Sequence, residues 1–517
     1  MADGAPAGLM KPLAGGALAL TALALALGTF MQVLDSTIAN VSVPTIAGNL
    51  GVSSSQGIWI ITAFAVANGI SVPLTAWLMG RYGVVRTFVG SVVLFTIASF
   101  LCGIAWNLPL LIFARVLQGA VSGPMIPGSQ ALLLMIFPPQ KRGMALAIWS
   151  MTALVAPVCG PVLGGWLCDN FHWSWIFLIN LPVGAFCAVV CWKFMHNRET
   201  PTRKVPIDTI GFALLVLWVG ALQVVLDTGK EADWFASPAI VVETLVASIA
   251  FIAWVIWELG EKHPIVDLSL FKSMNFSIST LVFSLAYAVF FGANLLQPLW
   301  LQTQMGYVAT WAGLVVMPAG IVAVILSPIV GKSLSKFDAR VVATVSMGAF
   351  AMSFFMRSGF TSQVDVRAMI WPMLVQGVAL STFFISMVTL CLNGLRPDQV
   401  PSASGLTNFT RITAGSFAAS LATTLWERGE TLHQTRLAES MSAASPVAAQ
   451  AMGAAQGAGL STPQSLALMT QQAASQAFLL STIDLFRICG WLSVILIPLI
   501  WLTKKAKAQA GAAHAAD

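Results

Sequence analysis

The residues best suited to chemistry in this chain are two charges placed where charge is expensive. Asp35 stands in LDSTIANVSVP and Arg115 in RVLQG, each within a long apolar run. A carboxylate shielded from water holds its proton more tightly and a neighbouring guanidinium loosens it again, so such a pair can be tuned to take up and release a proton. Arg411 in NFTRITAGS and Gln118, close behind Arg115, are candidates for contact with a substrate or for a structural tie. Asp484 and Arg487 share one helix face and are expected to neutralise one another. Glu243 falls near enough to a helix end to reach water.

The other residue types give no support to enzymatic chemistry. The histidines His172, His196, His263, His433 and His514 are scattered over expected loops and tails, without an HExxH, a phosphate-cradling glycine loop or a paired-carboxylate motif. The seven cysteines are odd in number and lack paired spacing, which argues against a disulfide framework or a metal site. The expectation is a protein that is not an enzyme, with no catalytic residue, no metal and no cofactor.

The elements that must position Asp35 and Arg115 follow from composition. The chain has 517 residues, 57% hydrophobic and 9% charged, with a mean hydropathy of +0.83. Soluble domains carry about 25% charged residues, so this is an integral membrane protein. Apolar runs of about 17 to 25 residues, enough to cross a bilayer, start near 15, 57, 87, 108, 145, 175, 209, 237, 276, 308, 341, 368, 403 and 477. Fourteen transmembrane helices are predicted, the first retained rather than cleaved as a signal peptide. Asp35 falls in the outer part of the first span, and Arg115 about 10 Å below the outer edge of the fourth at 1.5 Å per residue. The two are expected to share a layer.

Orientation is written in the 26 Lys and Arg residues. Only Lys230, Arg357, Arg367, Arg428 and Arg436 fall on one side, while Arg115, Arg411 and Arg487 lie within spans and the remainder flank the other side. The positive-inside rule then puts both termini in the cytoplasm. The net charge of +6 reports this topology, and no basic run is long enough to suggest nucleic-acid binding.

Short correspondences at a nearly constant offset point to an internal repeat. Gln118-Gly119 matches Gln376-Gly377 and Pro139 matches Pro397, while Pro73, Ala76 and Arg81 match Pro328, Gly331 and Lys336. Two six-helix bundles around a central pathway explain this order, with two helices left over. The expected division is an N-terminal bundle over 1–195, two inserted helices with cytoplasmic flanks over 196–269, a C-terminal bundle over 270–503 and a cytoplasmic tail over 504–517. Residues 427–475 are expected to form a periplasmic segment. Its middle is rich in small residues and broken by Pro446, and a capping box at Ser461–Gln464 starts a helix that runs into the last span.

The fifth span contains APVCGPVLGG, which would be a loop in water. In lipid, helices associate by close packing of small residues, and Gly160 and Gly164 form a GxxxG face. Pro157 and Pro161 each remove a helix hydrogen bond, tolerable where neighbouring helices re-satisfy the freed carbonyls. A tightly packed, bendable helix is expected.

LDSTIAN, RVLQG, APVCGPVLGG and WSWIFLINLPVG together resemble the signature motifs of the fourteen-helix drug:proton antiporters of the major facilitator superfamily, and the likeness runs along essentially the whole chain. The resemblance implies an all-α, major facilitator fold in the bacterial inner membrane and proton-driven export of hydrophobic drugs, with Asp35 and Arg115 in proton coupling. It places Gly160, Pro161, Gly164 and Gly165 in the antiporter motif. It also implies a periplasmic adaptor and an outer-membrane channel as partners, and the Gln- and Ala-rich polar helix face within 427–475 is expected to dock the adaptor. A stand-alone exporter and an uptake symporter are the alternatives. One departure is visible: the family's G-x-L-x-D-R-x-G-R loop here reads AWLMGRYGVVR, so Ala76 and Gly80 replace its glycine and aspartate while Arg81 and Gly83 remain.

Overall fold

The computed structural model of the chain describes residues 13–138, 155–156, 159–202, 206–229, 231–262, 264–333, 337–395, 399–440 and 445–505. In chain order the long helices are α1 (Gly15–Leu50), α2 (Trp59–Tyr82), α3 (Val84–Gly103), α4 (Leu108–Ser122 continued by Met125–Ile136), α5 (159–170) and α6 (Trp175–Leu178 continued by Asn180–Met195). There follow α7 (Thr209–Thr228), α8 (Pro238–Gly260), α9 (Met274–Thr303), α10 (Ala309–Ser333), α11 (Ala339–Arg357), α12 (Val366–Leu392), α13 (Val400–Ser440) and α14 (Thr462–Trp501). Among the described residues twelve of these, all but α5 and α13, are long and apolar enough to cross a membrane. Among the described residues the chain is all-helical, as a multi-pass membrane protein requires.

The first helix runs on past polar Asn40: α1 has 36 residues, through Pro44 to Leu50, so Asp35 lies well inside a continuous helix. One expectation about helix ends is corrected. In the segment expected to be periplasmic, α13 extends to Ser440 and a separate helix covers Pro446–Gly457. Pro446 breaks nothing there. It sits in the first turn, where its missing N–H has no helical partner to lose, and the Ser445 hydroxyl caps the Ala448 N–H. At Ser461 the capping box forms and α14 runs unbroken into the apolar span.

Buried apolar side chains gather separately in the two ends of the chain. One core takes Phe88 and Phe95 of α3, Leu132 of α4 and Met195 of α6; another takes Phe283 of α9, Phe350 of α11, Phe383 of α12 and Phe486 of α14. Trp218 of α7 and Trp254 of α8 pack with Val66 and Ile70 of α2 and Phe409 of α13, so the two intervening helices lie along the seam between α2 and α13. The repeat is visible in backbone approach. A Cβ at Gly119 of α4 would strike the Phe64 carbonyl of α2, and one at Gly377 of α12 would lie 2.5 Å from the Ala319 carbonyl of α10. In lipid, close contacts of this kind hold helices together. Pro139, Pro397 and Lys336, the other halves of repeat matches, lie outside the described residues.

Because successive helices alternate in direction, one face of the molecule carries the starts of α1 and α9 and the end of α14. The opposite, distal face carries Leu50 and the start of α10. Contacts between the two ends of the chain are found on the distal side: Gln302 of α9 donates to the Val41 carbonyl at 2.9 Å. The Thr310 N–H donates to Asp169 at 2.8 Å.

Candidate functional site

Asp35 and Arg115 meet inside the protein. Arg115 Nη1 donates to Asp35 Oδ2 at 2.5 Å, with the side chains 1% and 0% exposed respectively. The second carboxylate oxygen, Oδ1, accepts from Gln118 Nε2 and from Asn180 Nδ2, each at 2.9 Å. Both amides also donate to the Ser99 hydroxyl, at 2.8 and 3.2 Å. Arg115 is held from two more directions: Nε donates to the Ile60 carbonyl at 2.8 Å and Nη1 to Gln118 Oε1 at 2.7 Å. Its guanidinium lies 4.3 Å from the Phe64 ring centre and 5.4 Å from that of Phe177. Five helices, α1, α2, α3, α4 and α6, thus converge on one ion pair.

This arrangement has a definite chemistry. Charges buried away from water are retained when they are paired and their remaining sites hydrogen-bonded, and here both carboxylate oxygens carry donors. A proton arriving at Asp35 would turn one acceptor oxygen into a donor and remove the charge facing Arg115. Arg115 keeps its other bonds, to Ile60 and Gln118, whatever the state of Asp35.

Sequence reasoning singled out Asp35, Arg115 and Gln118 but missed Asn180 and Ser99, which are uncharged and carry no motif of their own. Gln376 Nε2 donates to Asn294 Oδ1 at 2.8 Å, so the equivalent place in the C-terminal half holds an amide where Asp35 is a carboxylate. Met373 stands where Arg115 does, at the same offset as Gln376 from Gln118. The charge is confined to one half.

Arg357, read from the sequence only as a charge on the non-cytoplasmic side, is fully buried at the end of α11. It lies between the rings of Phe354 and Phe486 and donates through Nη2 to the Ser353 hydroxyl at 3.3 Å, while Nε and Nη1 find no acceptor among the described residues. Its burial is invisible in the sequence because a cation at a span boundary looks like a topology signal. Arg411 stacks on Tyr287, with the guanidinium 4.5 Å from the ring centre, faces Phe283 and Phe384 and donates to Asn408 at 3.1 Å. It does not join the Asp35 network. Asp484 is shared: Arg487 lies 3.6 Å away, and His433 approaches the other oxygen at 2.8 Å. His433 therefore belongs to a helix pair rather than a loop.

The glycines of α5 form two seams. On one side a Cβ at Gly164 would lie 2.7 Å from the Ile38 carbonyl, and one at Gly160 would strike the Thr37 hydroxyl, both on α1. On the other side Gly165 faces the Ala309 carbonyl, and Gly313 of α10 faces the Pro161 carbonyl, with no room for a side chain at either glycine. One helix therefore touches the Asp35-bearing helix and the C-terminal half together. Pro157, and the start of this span expected at Ala145, lie outside the described residues.

The loop that lacks the family aspartate receives a carboxylate from elsewhere. Glu199, just after α6, accepts from the Val85 and Arg86 N–H groups at 2.9 Å each, and Thr200 accepts from Val84 at 3.1 Å. These donors are the free N–H groups of the first turn of α3. Gly83 makes this possible, because its φ of 91° favours glycine and a Cβ would overlap the Glu199 carboxylate. Arg81 is exposed beside it. At the repeat-related start of α11 the cap is local. Asp338 accepts from the Arg340 backbone at 3.0 Å, and the hydrogen-bonded Arg340 guanidinium holds the Asp338 carboxyl below the usual carboxylate range.

Comparison with known proteins agrees with this architecture. The Major Facilitator Superfamily profile matches residues 25–420. The chain is 47% identical over 508 residues to the multidrug export protein EmrB of Escherichia coli (strain K12), covering 98% of this chain and 99% of that protein. It is 45% identical to the fatty acid resistance protein FarB of Neisseria gonorrhoeae, covering 97% and 99% respectively. Among solved structures, a POT family transporter in complex with a thioalcohol-conjugated peptide superposes with a TM-score of 0.64 at 12% identity, covering 93% of this chain and 95% of that one. A bacterial homologue of the human lysosomal transporter Spinster, inward-facing and unoccupied, gives a TM-score of 0.57 at 15% identity, covering 95% and 99%.

Proposed function

We propose that this chain, which belongs to the major facilitator superfamily and is a transporter rather than an enzyme, exports hydrophobic drugs or other toxic compounds in exchange for protons. The buried Asp35–Arg115 pair carries the reading, because it is a carboxylate shielded from water with a donor on each oxygen, so that taking up a proton changes its present contacts. Relatives named for multidrug export and fatty acid resistance support the class of cargo. One entering proton gains about 2.3 kcal/mol per 100 mV and about 1.4 kcal/mol per pH unit. At about 1.4 kcal/mol per tenfold ratio, 100 mV and one pH unit together sustain a gradient of a few hundred-fold.

The same reading takes all fourteen helices as spans, with both termini cytoplasmic, and divides the chain into a bundle over 1–195, an inserted pair over 196–269 and a bundle over 270–503. The distal face is then periplasmic. There the extended ends of α13 and α14 are tied together: the Trp426 indole donates to Thr482 at 2.8 Å and the Ser481 hydroxyl to the Trp426 carbonyl at 2.6 Å. We assign this projection, with the helix Pro446–Gly457, to docking of a periplasmic adaptor resembling EmrA, which leads to an outer-membrane channel resembling TolC. Deleting 440–460 tests the assembly: adaptor co-purification and drug resistance should fall while transport in isolated vesicles persists. Full resistance after the deletion would instead mark a stand-alone exporter.

Inverted vesicles test the antiport. Energised vesicles should accumulate substrate, and added substrate should release protons from an acidified lumen. Proton movement in the same direction as substrate would identify a symporter and overturn the proposal.

A further inference from the structure

Asp227, at the distal end of α7, reaches into the seam between the two halves. Its Oδ2 accepts from Thr62 Oγ1 of α2 at 2.8 Å and from Gln223 Nε2 at 2.9 Å, and its Oδ1 accepts from the Ser420 hydroxyl of α13. Gln223 completes the junction. Its Nε2 also donates to Ser420 Oγ at 2.8 Å and its Oε1 accepts from Ser416 Oγ at 3.0 Å, while Ser416 also lies 3.3 Å from the Thr62 carbonyl. Thr62, Gln223, Ser416 and Ser420 are all buried.

A helix pair added outside a twelve-helix core needs only apolar contact to stay there, and Trp218, Val219 and Trp254 supply it. Nothing in that packing calls for a carboxylate. A charge in a membrane helix is costly and marks a use, and this one accepts hydrogen bonds from residues that must separate if the distal side opens. Sequence reasoning passed over it because VVLDTG closes a span and reads as an ordinary boundary.

We infer that Asp227 is a positioning residue that clasps α2 to α13 and holds the distal side of the transporter shut. The inference rests on the alternating opening implied by the proposed transport. Opening forces Asp227 to give up Thr62 or Ser420, so the inserted pair sets how often the distal side opens. A hydrogen bond to a charged group is strong enough that losing one shifts the open fraction roughly 10- to 100-fold.

The test reads conformation directly. Phe171 and Val308 are exposed, 51% and 54% respectively, and flank the Asp169–Thr310 contact across the distal seam. Spin labels at these two positions in the full chain in nanodiscs report opening as a longer distance. Thr62→Val and Ser420→Ala should each raise the long-distance population by tenfold or more, whereas Thr75→Val, a hydroxyl removal further along α2, should not. In an Asp227→Ala background, already shifted, Thr62→Val should add nothing. Unchanged distances in Thr62→Val and Ser420→Ala overturn the clasp, and so does a Thr62→Val effect of equal size without Asp227. If Asp227→Ala fails to fold, the two hydroxyl variants decide alone. Failure of the transport reading would show separately, as wild-type vesicles that do not exchange substrate for protons.

Discussion

Replacing Gly164 by alanine puts one methyl group into the seam that holds the Asp35 helix. The added Cβ would lie 2.7 Å from the Ile38 carbonyl, 2.8 Å from Ile38 Cγ1 and 3.2 Å from the Ser42 hydroxyl. Ordinary contact begins at 3.4 Å, so α1 or α5 must give by about 0.7 Å, against backbone rather than a side chain that can swing away. Overpacking of this kind costs about 1–3 kcal/mol, or a factor of about 5 to 150 in the balance between packed and parted seams. Ile38 is one turn from Asp35 on α1, so the displacement reaches an ion pair set at 2.5 Å. In proteoliposomes, Gly164→Ala should slow pH-driven export about tenfold or leak protons without substrate, and Gly164→Leu should abolish coupling. Gly220 of α7 has nothing within 4 Å of its added Cβ, so Gly220→Ala should behave as wild type. If Gly164→Ala matched Gly220→Ala in rate and proton tightness, the seam would not govern coupling.

Asp35→Asn keeps the shape of the carboxyl but cannot take up a proton, so under an imposed pH gradient substrate accumulation should fall to equilibration while membrane abundance stays near wild type. Arg115→Lys keeps a positive charge but loses the planar fork that serves Asp35, Gln118 and the Ile60 carbonyl together; transport should drop severely, and a normal rate in Arg115→Ala would exclude the residue from coupling. Gly83→Ala forces a side chain into a left-handed backbone and onto Glu199, which should lower thermal stability in detergent more than Glu199→Gln does, since Gln keeps one acceptor for the α3 N–H groups.

The charged pair was legible in the sequence because charge in an apolar run is rare and each residue announces itself. Its setting was not. Asn180 and Ser99 are small polar residues of a kind found in many membrane helices, and only the fold shows that they close on Asp35. The glycines of α5 were legible as a packing face, but the partner helices were not: Gly160 and Gly164 meet α1, and Gly165 meets α10, a division that depends on how the halves sit together. Hydropathy located the span starts closely yet mistook polar sequence after Trp426 for a loop, because a helix paired with another helix needs no apolar run. Arg357 was read only for its side of the membrane, because nothing local shows a cation buried between two rings. Glu199 stands some 115 positions from the α3 amides it caps, a separation that no local pattern spans.

Proton release on substrate binding tests the central claim most directly. Purified protein in weakly buffered solution with a pH indicator should release protons when substrate is added, and Asp35→Asn should bind substrate with no release. Equal proton release from wild type and Asp35→Asn would place the proton elsewhere and contradict the account.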